Sequence, residues 1–474
     1  MIQFIKSLFN YIHLFYSSYN YYVNYTELKD NIDEINRITN LVTTCGAVSI
    51  KFCQWITPKI DSLEDKINNK DSFLVTKLKE YYENCPVHNI DYSIQQYNRE
   101  FNEDIYRTYD IKKVLGSGSI GQVYLVFNKF KNRDEVIKII HPNIENDIHM
   151  FKKIVNFLFF FPCIRNKYKK ICPFDINSFI EQFEDQIDLV KEANNNIYFT
   201  ELYRGNKFIK FPELFKISKN VLIMSYEDGF DFNNDIIDEY NREKLALVFN
   251  MFFKTNIMIN NYNHGDLHPG NWKVQKYEDD YRIVIYDMGF CWKMSDSIFT
   301  ELGPDLIDTF EDCDTDFDQE TTKKRLCKLL KLSIVSDIDY TDKIKIYIDD
   351  KYDSISPWKL CPVKLFKNVI SFCNIENLMI NQVLAQGFII IIQVQKIFEE
   401  NGLMSDGNNI ISSKHIYRDR YISLLTMCET YNIFHEFSDF IKDKLNNRQQ
   451  DINNLFDTIN YDDEILSTLE NLIT

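Results

Sequence analysis

Two acidic side chains and one amide in the middle of the chain stand at spacings that suit phosphate and metal chemistry. Asp266 precedes Asn271 by five positions, and Asp287 follows shortly after in an Asp-Met-Gly turn. Carboxylate and carboxamide oxygens are ligands that Mg²⁺ prefers. The apolar run 283–286 predicts a buried strand that delivers the Asp287 carboxylate to the site. This is the layout of a phosphotransfer loop, and the alternative is a His- and Asp-rich turn with a chance Asp-x-Gly nearby.

The same spacing occurs in protein kinases, where each of the three residues has a defined task. The Asp of an H-R-D-x-x-x-x-N loop handles the acceptor proton, and the Asn holds one Mg²⁺. The Asp of a D-F-G turn holds Mg²⁺ on the nucleotide phosphates. By this match Asp266 is the candidate catalytic residue, and Asn271 and Asp287 are the candidate metal ligands.

A glycine-rich turn upstream supplies a second part of a nucleotide site. Residues 116–121 read G-x-G-x-x-G, and glycines let backbone N–H groups approach phosphate oxygens without a Cβ in the way. A dinucleotide-binding unit requires a helix directly after the glycines, whereas residues 122–126 have strand composition. The turn therefore predicts a kinase-type flap over the phosphates. Its candidate nucleotide-binding residues are Gly116, Ser117, Gly118, Ser119, Gly121 and Val123.

A lysine on an apolar strand supplies the third part. Lys138 lies in the segment 135–140, which matches the V-A-I-K pattern of kinases. A lysine among buried neighbours needs an anionic partner, and nucleotide phosphates and a helix carboxylate would serve. Helical periodicity over 179–193 places Asp188 and Glu192 on one face, with Glu192 as the expected partner of Lys138. The alternatives are an edge-strand lysine that faces water and a pair of solvated carboxylates.

With these motifs in place, the chain resembles the UbiB family, the atypical aarF-domain kinases tied to ubiquinone biosynthesis. The family carries a Lys-x-Gly-Gln motif in a helical N-terminal extension, and here Lys51 and Gln54 match while Cys53 replaces the glycine. The family's catalytic loop resembles H-x-D-x-H-P-G-N, which residues 264–271 reproduce. A proline-containing turn follows the family's strand lysine, as residues 138–142 show here.

Other positions depart from the family pattern. The family's nucleotide loop is alanine-rich, and here Gly116 and Gly118 stand where alanines are expected. The family has a Glu-x-Asp motif, in which Gln186 replaces the first acid and Asp188 matches the second. Aminoglycoside and choline kinases share a similar catalytic loop but lack the Lys-x-Gly-Gln extension. The segment around Lys51 therefore favours the UbiB family over them.

The resemblance implies a fold, a cofactor set and a regulatory helix. The implied fold is α+β and bilobal, with an antiparallel-sheet N-lobe, a helical C-lobe and a helical N-terminal extension. ATP and Mg²⁺ are the implied cofactors, and Lys51, Gln54 and Asp188 are regulatory by resemblance. In the family the Lys-x-Gly-Gln helix lies over the active site and obstructs protein substrates.

We place the domain boundaries by the order of the motifs. The extension covers 1–105, the N-lobe with a helical insert covers 106–227, and the C-lobe with its own helical extension covers 228–474. The segment 224–227 is the predicted interlobe hinge, where Met224 and Tyr226 contact adenine through the backbone.

Composition sets limits on partners and compartment. The chain has 474 residues and a formal net charge of −16, which argues against nucleic acid as a partner. Eleven cysteines without C-x-x-C pairs predict reduced thiols in a reducing intracellular compartment. The acidic run 311–316 lacks the spacing of a calcium loop, so a solvated loop is expected.

Three apolar segments raise the question of membrane contact. The runs 157–161 and 388–392 are too short to span a bilayer, and we expect no transmembrane helix and burial of both runs. The aromatic segment 1–25 has no acid and only Lys6 as a basic residue, and it differs from a cleaved signal. It is either an interfacial amphipathic helix or a helix packed on the kinase, and we expect packing.

Two functions of different classes fit these residues. One is an enzyme, either a Mg²⁺-dependent ATPase or a phosphotransferase, with a lipid or quinone pathway implied by the family. The other is a nucleotide-switched binding protein that does not transfer phosphate. Retention of Lys138, Asp266 and Asp287 favours ATP chemistry, and the sequence names no phosphoryl acceptor.

Overall fold

A two-lobed body and a helical extension make up the part of the chain that the computed structural model describes. The described residues are 2–63, 72–80, 85, 87–296, 298–299, 319–352, 362–400, 433 and 436–437. The acidic run 311–316, expected to be a solvated loop, lies outside them.

The strands form one large sheet in the N-lobe and three small sheets beyond it. They are β1 (Tyr109–Ser117), β2 (Gly121–Asn128), β3 (Arg133–Ile140), β4 (Ile209–Lys210), β5 (Leu214–Ile217), β6 (Val221–Ser225), β7 (Asn263–His264), β8 (Trp272–Tyr277), β9 (Asp280–Ile285), β10 (Cys291–Trp292), β11 (Ile334–Val335) and β12 (Met379–Ile380).

The α-helices form the extension, an insert in the N-lobe and most of the C-lobe. They are α1 (Ile2–Val23), α2 (Tyr25–Leu28), α3 (Ile32–Cys45), α4 (Ala47–Leu63), α5 (Phe73–Lys79), α6 (Ile90–Phe101), α7 (Ile105–Thr108), α8 (Ile144–Phe159), α9 (Pro162–Ile171), α10 (Ile176–Gln186), α11 (Leu189–Leu202), α12 (Glu239–Thr255), α13 (Gln319–Ser333), α14 (Thr341–Tyr352), α15 (Pro362–Glu376) and α16 (Gln382–Glu400).

The N-lobe sheet is antiparallel throughout, with the strand order β1-β2-β3-β6-β5. Its third strand lies in the middle because β-branched residues fill it and neighbours cover both of its edges. The register sets Val123 and Leu222 on either side of Lys138. The predicted lysine strand is therefore central, and the edge-strand alternative is wrong.

In the C-lobe two short pairings bring the catalytic loop and the Asp-Met-Gly turn together. The hairpin β8–β9 pairs Trp272 with Ile285, just before Asp287. The pair β7–β10 joins His264 to Cys291, so that the start of the catalytic loop lies beside the end of the turn. The predicted strand over 283–286 is present as the end of β9.

The helix predicted over 179–193 is two helices, and this expectation was wrong. The chain breaks after Gln186, and Asp188 becomes the N-cap of α11, where its carboxylate accepts a hydrogen bond from the Val190 N–H at 3.0 Å. Aspartate is a favoured N-cap because it satisfies an N–H at the helix end. Asp188 and Glu192 therefore do not share a helix face.

The insert and the extension share one hydrophobic core with the C-lobe, as Phe179 of α10 shows. Its ring contacts those of Phe52 and Trp55 on α4, with centroids 5.2 and 5.3 Å away, and those of Phe151 and Phe183. Such aromatic contacts are worth more than their buried area alone. The extension is therefore packed on the kinase body through α4.

The two short apolar runs differ in burial. Residues 388–390 lie on α16 and are fully buried, as expected. The run 157–161 lies at the corner between α8 and α9, where Phe157 is 47%, Phe160 is 80% and Phe161 is 40% exposed, so the expectation of burial was wrong. Side chains at a corner between two helices are covered by fewer neighbours than side chains in the middle of a packed helix. Among the described helices, none combines the length and the hydropathy needed to cross a bilayer.

Phe179→Ala tests whether the aromatic cluster holds the extension to the body. Because Phe179 is only 1% exposed, we expect the free energy of unfolding to fall by about 3–5 kcal/mol, measured by denaturant titration. Phe130→Ala is the control, since this side chain is 73% exposed and its loss is expected to change stability by about 0.5 kcal/mol or less. Equal effects of the two substitutions would contradict the shared core.

Candidate active site

Lys138 stands between two carboxylates at the junction of the lobes. Its Nζ donates to Glu192 Oε1 and Oε2 at 2.7 and 2.8 Å, and to Asp287 Oδ2 at 3.0 Å. The strand β3 holds the lysine, α11 holds Glu192, and the segment after β9 holds Asp287. The expected pairing of Lys138 with Glu192 is present, and Glu192 is buried among protein atoms.

Burial and the sharing of one ammonium group by two carboxylates determine the pKa values of Lys138, Glu192 and Asp287. Burial opposes the charge on Lys138, but Asp287 and Glu192 outweigh it and raise the pKa of Lys138 above its usual value. Burial raises the pKa of Glu192 to about 7, against the pull of Lys138. Burial also opposes ionisation of Asp287, but Lys138 and the Gly289 N–H hold its pKa well below the usual range. Asp287 is thus the firmly ionised acid.

His264 connects the catalytic loop to the Asp-Met-Gly turn. Its Nδ1 accepts from the Asp266 N–H at 3.0 Å, so Nε2 carries the proton and donates to the Asp287 carbonyl oxygen at 2.5 Å. Burial lowers the pKa of His264, which keeps the ring neutral. Residue 265 is a glycine because a Cβ at this position would lie 2.6 Å from the Phe290 ring. One imidazole therefore fixes the spacing between Asp266 and Asp287.

Asn271 is oriented as a metal ligand would be. Its Nδ2 donates to the Asp266 carbonyl oxygen at 2.8 Å, which leaves Oδ1 as the atom available to a cation. Among the described residues there is no group of three or more His, Cys, Asp or Glu side chains that could hold a metal ion. Mg²⁺ commonly uses one or two protein ligands together with substrate phosphates. Asn271 and Asp287 fit that pattern.

The glycine-rich turn between β1 and β2 is tied to the strand that carries Lys138. Immediately after β3, the His141 N–H donates to the Ile120 carbonyl at 2.8 Å, and the ring Nε2 lies 2.9 Å from the Gly118 carbonyl oxygen. Gly121 is required, since a Cβ there would lie 2.7 Å from the Ile139 carbonyl oxygen. The turn therefore has a fixed position relative to Lys138.

His88 supports His141 through a chain of hydrogen bonds that all run in the same direction. The Gly118 oxygen only accepts, so His141 Nε2 donates to it and His141 Nδ1 accepts from His88 Nδ1 at 2.7 Å. His88 Nε2 then accepts from the Ser93 hydroxyl at 2.6 Å. Burial lowers the pKa of His141, and burial together with His141 lowers that of His88 to about 4. Both rings are neutral near pH 7, as the chain requires.

The helix α4 reaches across the site and contacts both functional loops. Lys51 Nζ lies 3.6 Å from Asp266 Oδ2, and Gln54 Oε1 accepts from the Ser119 hydroxyl at 2.8 Å. Both residues are buried, with 9% of Lys51 and 8% of Gln54 exposed. Cys53 faces the core of the extension, and burial raises the pKa of its thiol to about 12. Cysteine at this position therefore packs in the extension and leaves Lys51 and Gln54 in the site.

The predicted regulatory and hinge residues lie in different surroundings. Asp188 caps α11, whereas Gln186 lines a small cavity together with Lys51, Gln54 and Asp266. Met224 is buried at the end of β6, and the side chain of Tyr226 is 37% exposed. The predicted hinge, the segment 224–227, therefore covers the end of β6 and the two residues after it.

Sequence reasoning missed four residues that this site uses. His264 is one residue of the catalytic-loop motif and has no separate signal, and no motif links His88 with His141, which lies 53 positions further along the chain. Gln386 of α16 donates to the Gly265 carbonyl oxygen at 2.5 Å, and no local pattern marks it. The available signal for Gln386 is a single polar residue within the apolar stretch 383–392 of α16.

Comparison with known proteins gives the family of the central part of the chain. Residues 77–310 match the ABC1 atypical kinase-like domain. The chain is 28% identical over 243 residues to the probable serine/threonine-protein kinase abkC of Dictyostelium discoideum, covering 50% of this chain and 34% of that protein. It is 24% identical over 263 residues to a probable protein kinase UbiB of Blochmanniella pennsylvanica, covering 52% and 45%.

The likeness has limited reach. The matches span about a third to a half of the length of the curated relatives. A solved structure, Rv3197 of Mycobacterium tuberculosis in complex with erythromycin, is 15% identical with a TM-score of 0.36 and covers 66% of this chain and 83% of that one. A superposition this loose adds nothing to the description of the fold.

His141→Ala tests the tie between the glycine-rich turn and β3. Loss of the ring removes the hydrogen bonds that the Gly118 oxygen and His88 Nδ1 make with it. We therefore expect Mg²⁺-ATP to bind roughly 5- to 30-fold more weakly, which corresponds to about 1–2 kcal/mol. Isothermal titration calorimetry measures the affinity. His149→Ala is the control, since His149 is exposed on α8. Unchanged affinity in His141→Ala would show that the turn does not need the imidazole.

Proposed function

The chain belongs to the ABC1/UbiB family of atypical kinase-like proteins, with a bilobal α+β kinase-like fold, and from that premise we propose that it binds Mg²⁺-ATP and cleaves the γ-phosphate. The observation that carries the proposal is the convergence of Lys138, Glu192 and Asp287. His264 links Asp266 to the Asp287 backbone, and Asn271 donates to the Asp266 carbonyl oxygen. A chance His- and Asp-rich turn would not bring five such groups from both lobes together. Water or a small acceptor would receive the phosphoryl group.

In this proposal Lys138 exchanges one partner when nucleotide binds. The ammonium stays on Glu192 and moves from Asp287 to the α- and β-phosphates, as the lysine of a kinase does. Asp287 Oδ1 stays on the Gly289 N–H at 2.8 Å, and Oδ2 becomes available to the metal. Bound Mg²⁺ would neutralise the developing phosphate charge. The turn 116–121 covers the phosphates, and Val123 lies opposite Lys138 on the neighbouring strand.

Asp266 is proposed to position the acceptor and to take its proton. Its carboxylate is paired with Lys51 of α4, which occupies the space where a bulky acceptor would approach. The pairing excludes large substrates. Beside Asp266 it leaves a cavity of about 30 Å³, lined by four glutamine carboxamides and by the side chains of Trp55, Phe179, Phe290 and Ile389. This volume, with carboxamides to bind it, suits a water molecule as the acceptor. Action in a lipid or quinone pathway rests on family membership alone.

A nucleotide-switched binding protein is the second candidate function. The pair of Lys51 with Asp266 favours it, since this contact occupies the candidate base. Purified protein with labelled ATP separates the two functions. Free phosphate, autophosphorylation or phosphorylated lipid supports the enzyme, whereas binding without any of these three products supports the switch. The division of the chain at residues 105 and 227 stays a prediction in either case.

Asp287→Asn tests the metal assignment. Nucleotide is expected to raise the melting temperature of the wild type by mass action, and more with Mg²⁺ than with a chelator. The variant keeps the shape of Asp287 but loses its charge, so the Mg²⁺-dependent part of the rise is expected to vanish. Differential scanning fluorimetry measures both. A variant that retains the full metal response would remove Asp287 from the metal site.

Gly118→Ala tests the loop that distinguishes this chain from alanine-loop relatives. A Cβ there would lie 3.8 Å from the Gly121 carbonyl oxygen, an ordinary contact, so the fold is expected to survive. The methyl group keeps phosphate oxygens from the backbone, and relative affinity is expected to shift from ATP toward ADP with lower autophosphorylation. Paired ATP and ADP titrations measure the ratio. No change in the ratio would refute the loop argument.

Lys51→Ala tests the obstruction of the site by α4. Loss of the ion pair frees Asp266, and we expect phosphorylation of a generic protein acceptor to rise by about fivefold or more, the ratio that about 1 kcal/mol represents. Lys77→Ala is the control, because this extension lysine pairs with Glu80 on the surface. A Lys51 variant with no gain on any protein acceptor would leave the helix without an inhibitory role.

A further inference from the structure

The helix α11 carries a second polar side chain, beside Glu192, that faces the Asp-Met-Gly turn. Asn195 lies three positions after Glu192, so the two side chains are neighbours on one face of the helix. The Asn195 Nδ2 donates to the Met288 carbonyl oxygen at 2.8 Å, and its Oδ1 accepts from the Tyr262 hydroxyl at 2.6 Å. Because both ends of the amide are engaged, its orientation is fixed. Asn195 therefore joins α11 to the turn and to the segment just before β7.

The carbonyl oxygen that Asn195 holds belongs to the same peptide group that contacts Asp287. The Met288 C=O and the Gly289 N–H are parts of one planar unit. Its N–H donates to Asp287 Oδ1 at 2.8 Å, while its oxygen accepts from Asn195. A hydrogen bond on the oxygen polarises the unit and strengthens its N–H as a donor. Asn195 therefore acts on the Asp287 carboxylate through a single peptide plane.

This peptide unit needs a contact that fixes its direction. Residue 289 is a glycine because a Cβ there would lie 2.9 Å from Asp287 Oδ1. Glycine has more accessible backbone conformations than other residues, so a peptide unit beside it rotates more easily. Rotation would turn the N–H away from Asp287, and it would also break the bond from Asn195 to the Met288 oxygen. The Cys291 thiol, 3.6 Å from the same oxygen, is a weaker donor.

Tyr262 fixes the amide of Asn195 in turn. Burial raises the pKa of Tyr262 to about 12, so its hydroxyl keeps its proton near pH 7 and donates to Asn195 Oδ1. The Tyr262 ring packs against those of Tyr198 and Phe199, with centroids 4.6 and 5.6 Å away. The hydrogen bonds therefore all run in one direction, from the hydroxyl through the amide and the peptide unit to the Asp287 carboxylate.

We propose that Asn195 positions Asp287 as a metal ligand through the peptide unit that follows Met288. The inference rests on the proposed function, because it takes Asp287 as a residue that holds Mg²⁺. With Oδ1 held by this unit, Oδ2 is the oxygen left for the metal once phosphate takes Lys138. Without Asn195 the carboxylate is held less firmly and must be ordered when the metal binds. The Mg²⁺ requirement then rises, whereas nucleotide binding without metal depends on Lys138 and the turn 116–121.

The test is a Mg²⁺ titration of the full chain with saturating ATP, followed by differential scanning fluorimetry. Asn195→Leu keeps the size of the side chain and removes both hydrogen bonds, so the half-saturating Mg²⁺ concentration is expected to rise about tenfold. Tyr262→Phe removes only the bond to Oδ1, and a rise of about threefold is expected. The ATP affinity in EDTA is expected to stay within about twofold of the wild type for both. Asn194→Leu and Tyr106→Phe, at exposed positions, are the matched controls and are expected to behave like the wild type.

Hydrogen–deuterium exchange of the nucleotide-free chain tests the same contact without any metal. The peptide 286–292 is expected to exchange faster in Asn195→Leu, by a smaller factor in Tyr262→Phe, and at the wild-type rate in the controls. If the wild type does not bind Mg²⁺-ATP, the proposed function fails, and the exchange rates still show whether Asn195 holds the turn. An unchanged Mg²⁺ requirement or unchanged exchange in Asn195→Leu would overturn the inference. An equal loss of ATP affinity with and without Mg²⁺ would also overturn it, because general damage to the fold gives that result.

Discussion

One ammonium group shared by two carboxylates is the interaction on which this structure depends. Lys138 joins β3 to α11 through Glu192 and to the segment after β9 through Asp287, so it connects the sheet of one lobe with the turn of the other. A buried lysine without such partners would carry a large desolvation penalty. The ion pairs therefore set the distance between the lobes and keep the site charged. Asp287 is engaged by Lys138 in this structure, and under the proposed function phosphate takes its place.

The N-terminal extension contacts the same site through α4. The helix α4 contacts the catalytic loop through Lys51 and the glycine-rich turn through Gln54, and its aromatic residues share the core with α10. Under the proposed function, nucleotide binding and acceptor access are therefore set by different contacts. The glycine-rich turn is held by His141, and Lys51 lies beside Asp266. We propose that these two arrangements let the chain bind nucleotide as a kinase does while excluding a large acceptor.

Local patterns predicted the elements whose chemistry is local. A lysine on an apolar strand, glycines between two strands and the Asp-Asn spacing each define a motif within a few residues, and the fold has those strands and turns where expected. The same patterns gave wrong predictions for residues at the end of a helix. Asp188 was predicted inside a helix, but the chain breaks before it and it caps α11. Phe160 was predicted to be buried, but α8 ends there and its side chain is exposed.

Long-range pairs that belong to no motif could not be predicted from the sequence, in contrast to the pair Lys138–Glu192. His88 and His141 meet because a segment before α6 lies along the turn of the N-lobe sheet, and Gln386 meets Gly265 because α16 crosses behind the catalytic loop. Neither pair leaves a periodic signal, since each depends on packing of elements far apart in the chain. The roles of the site residues remain predictions, whereas their mutual positions are given by the hydrogen bonds.

A structure of the full chain with Mg²⁺ and a non-hydrolysable ATP analogue would test whether Lys138 exchanges Asp287 for phosphate. The quantity to measure is the set of oxygen atoms within hydrogen-bond distance of Lys138 Nζ. We expect Glu192 to remain a partner and phosphate oxygens to replace Asp287, whose carboxylate then faces the metal together with Asn271. A complex in which Lys138 stays on Asp287, or in which Glu192 points to solvent and another carboxylate holds the lysine, would contradict it.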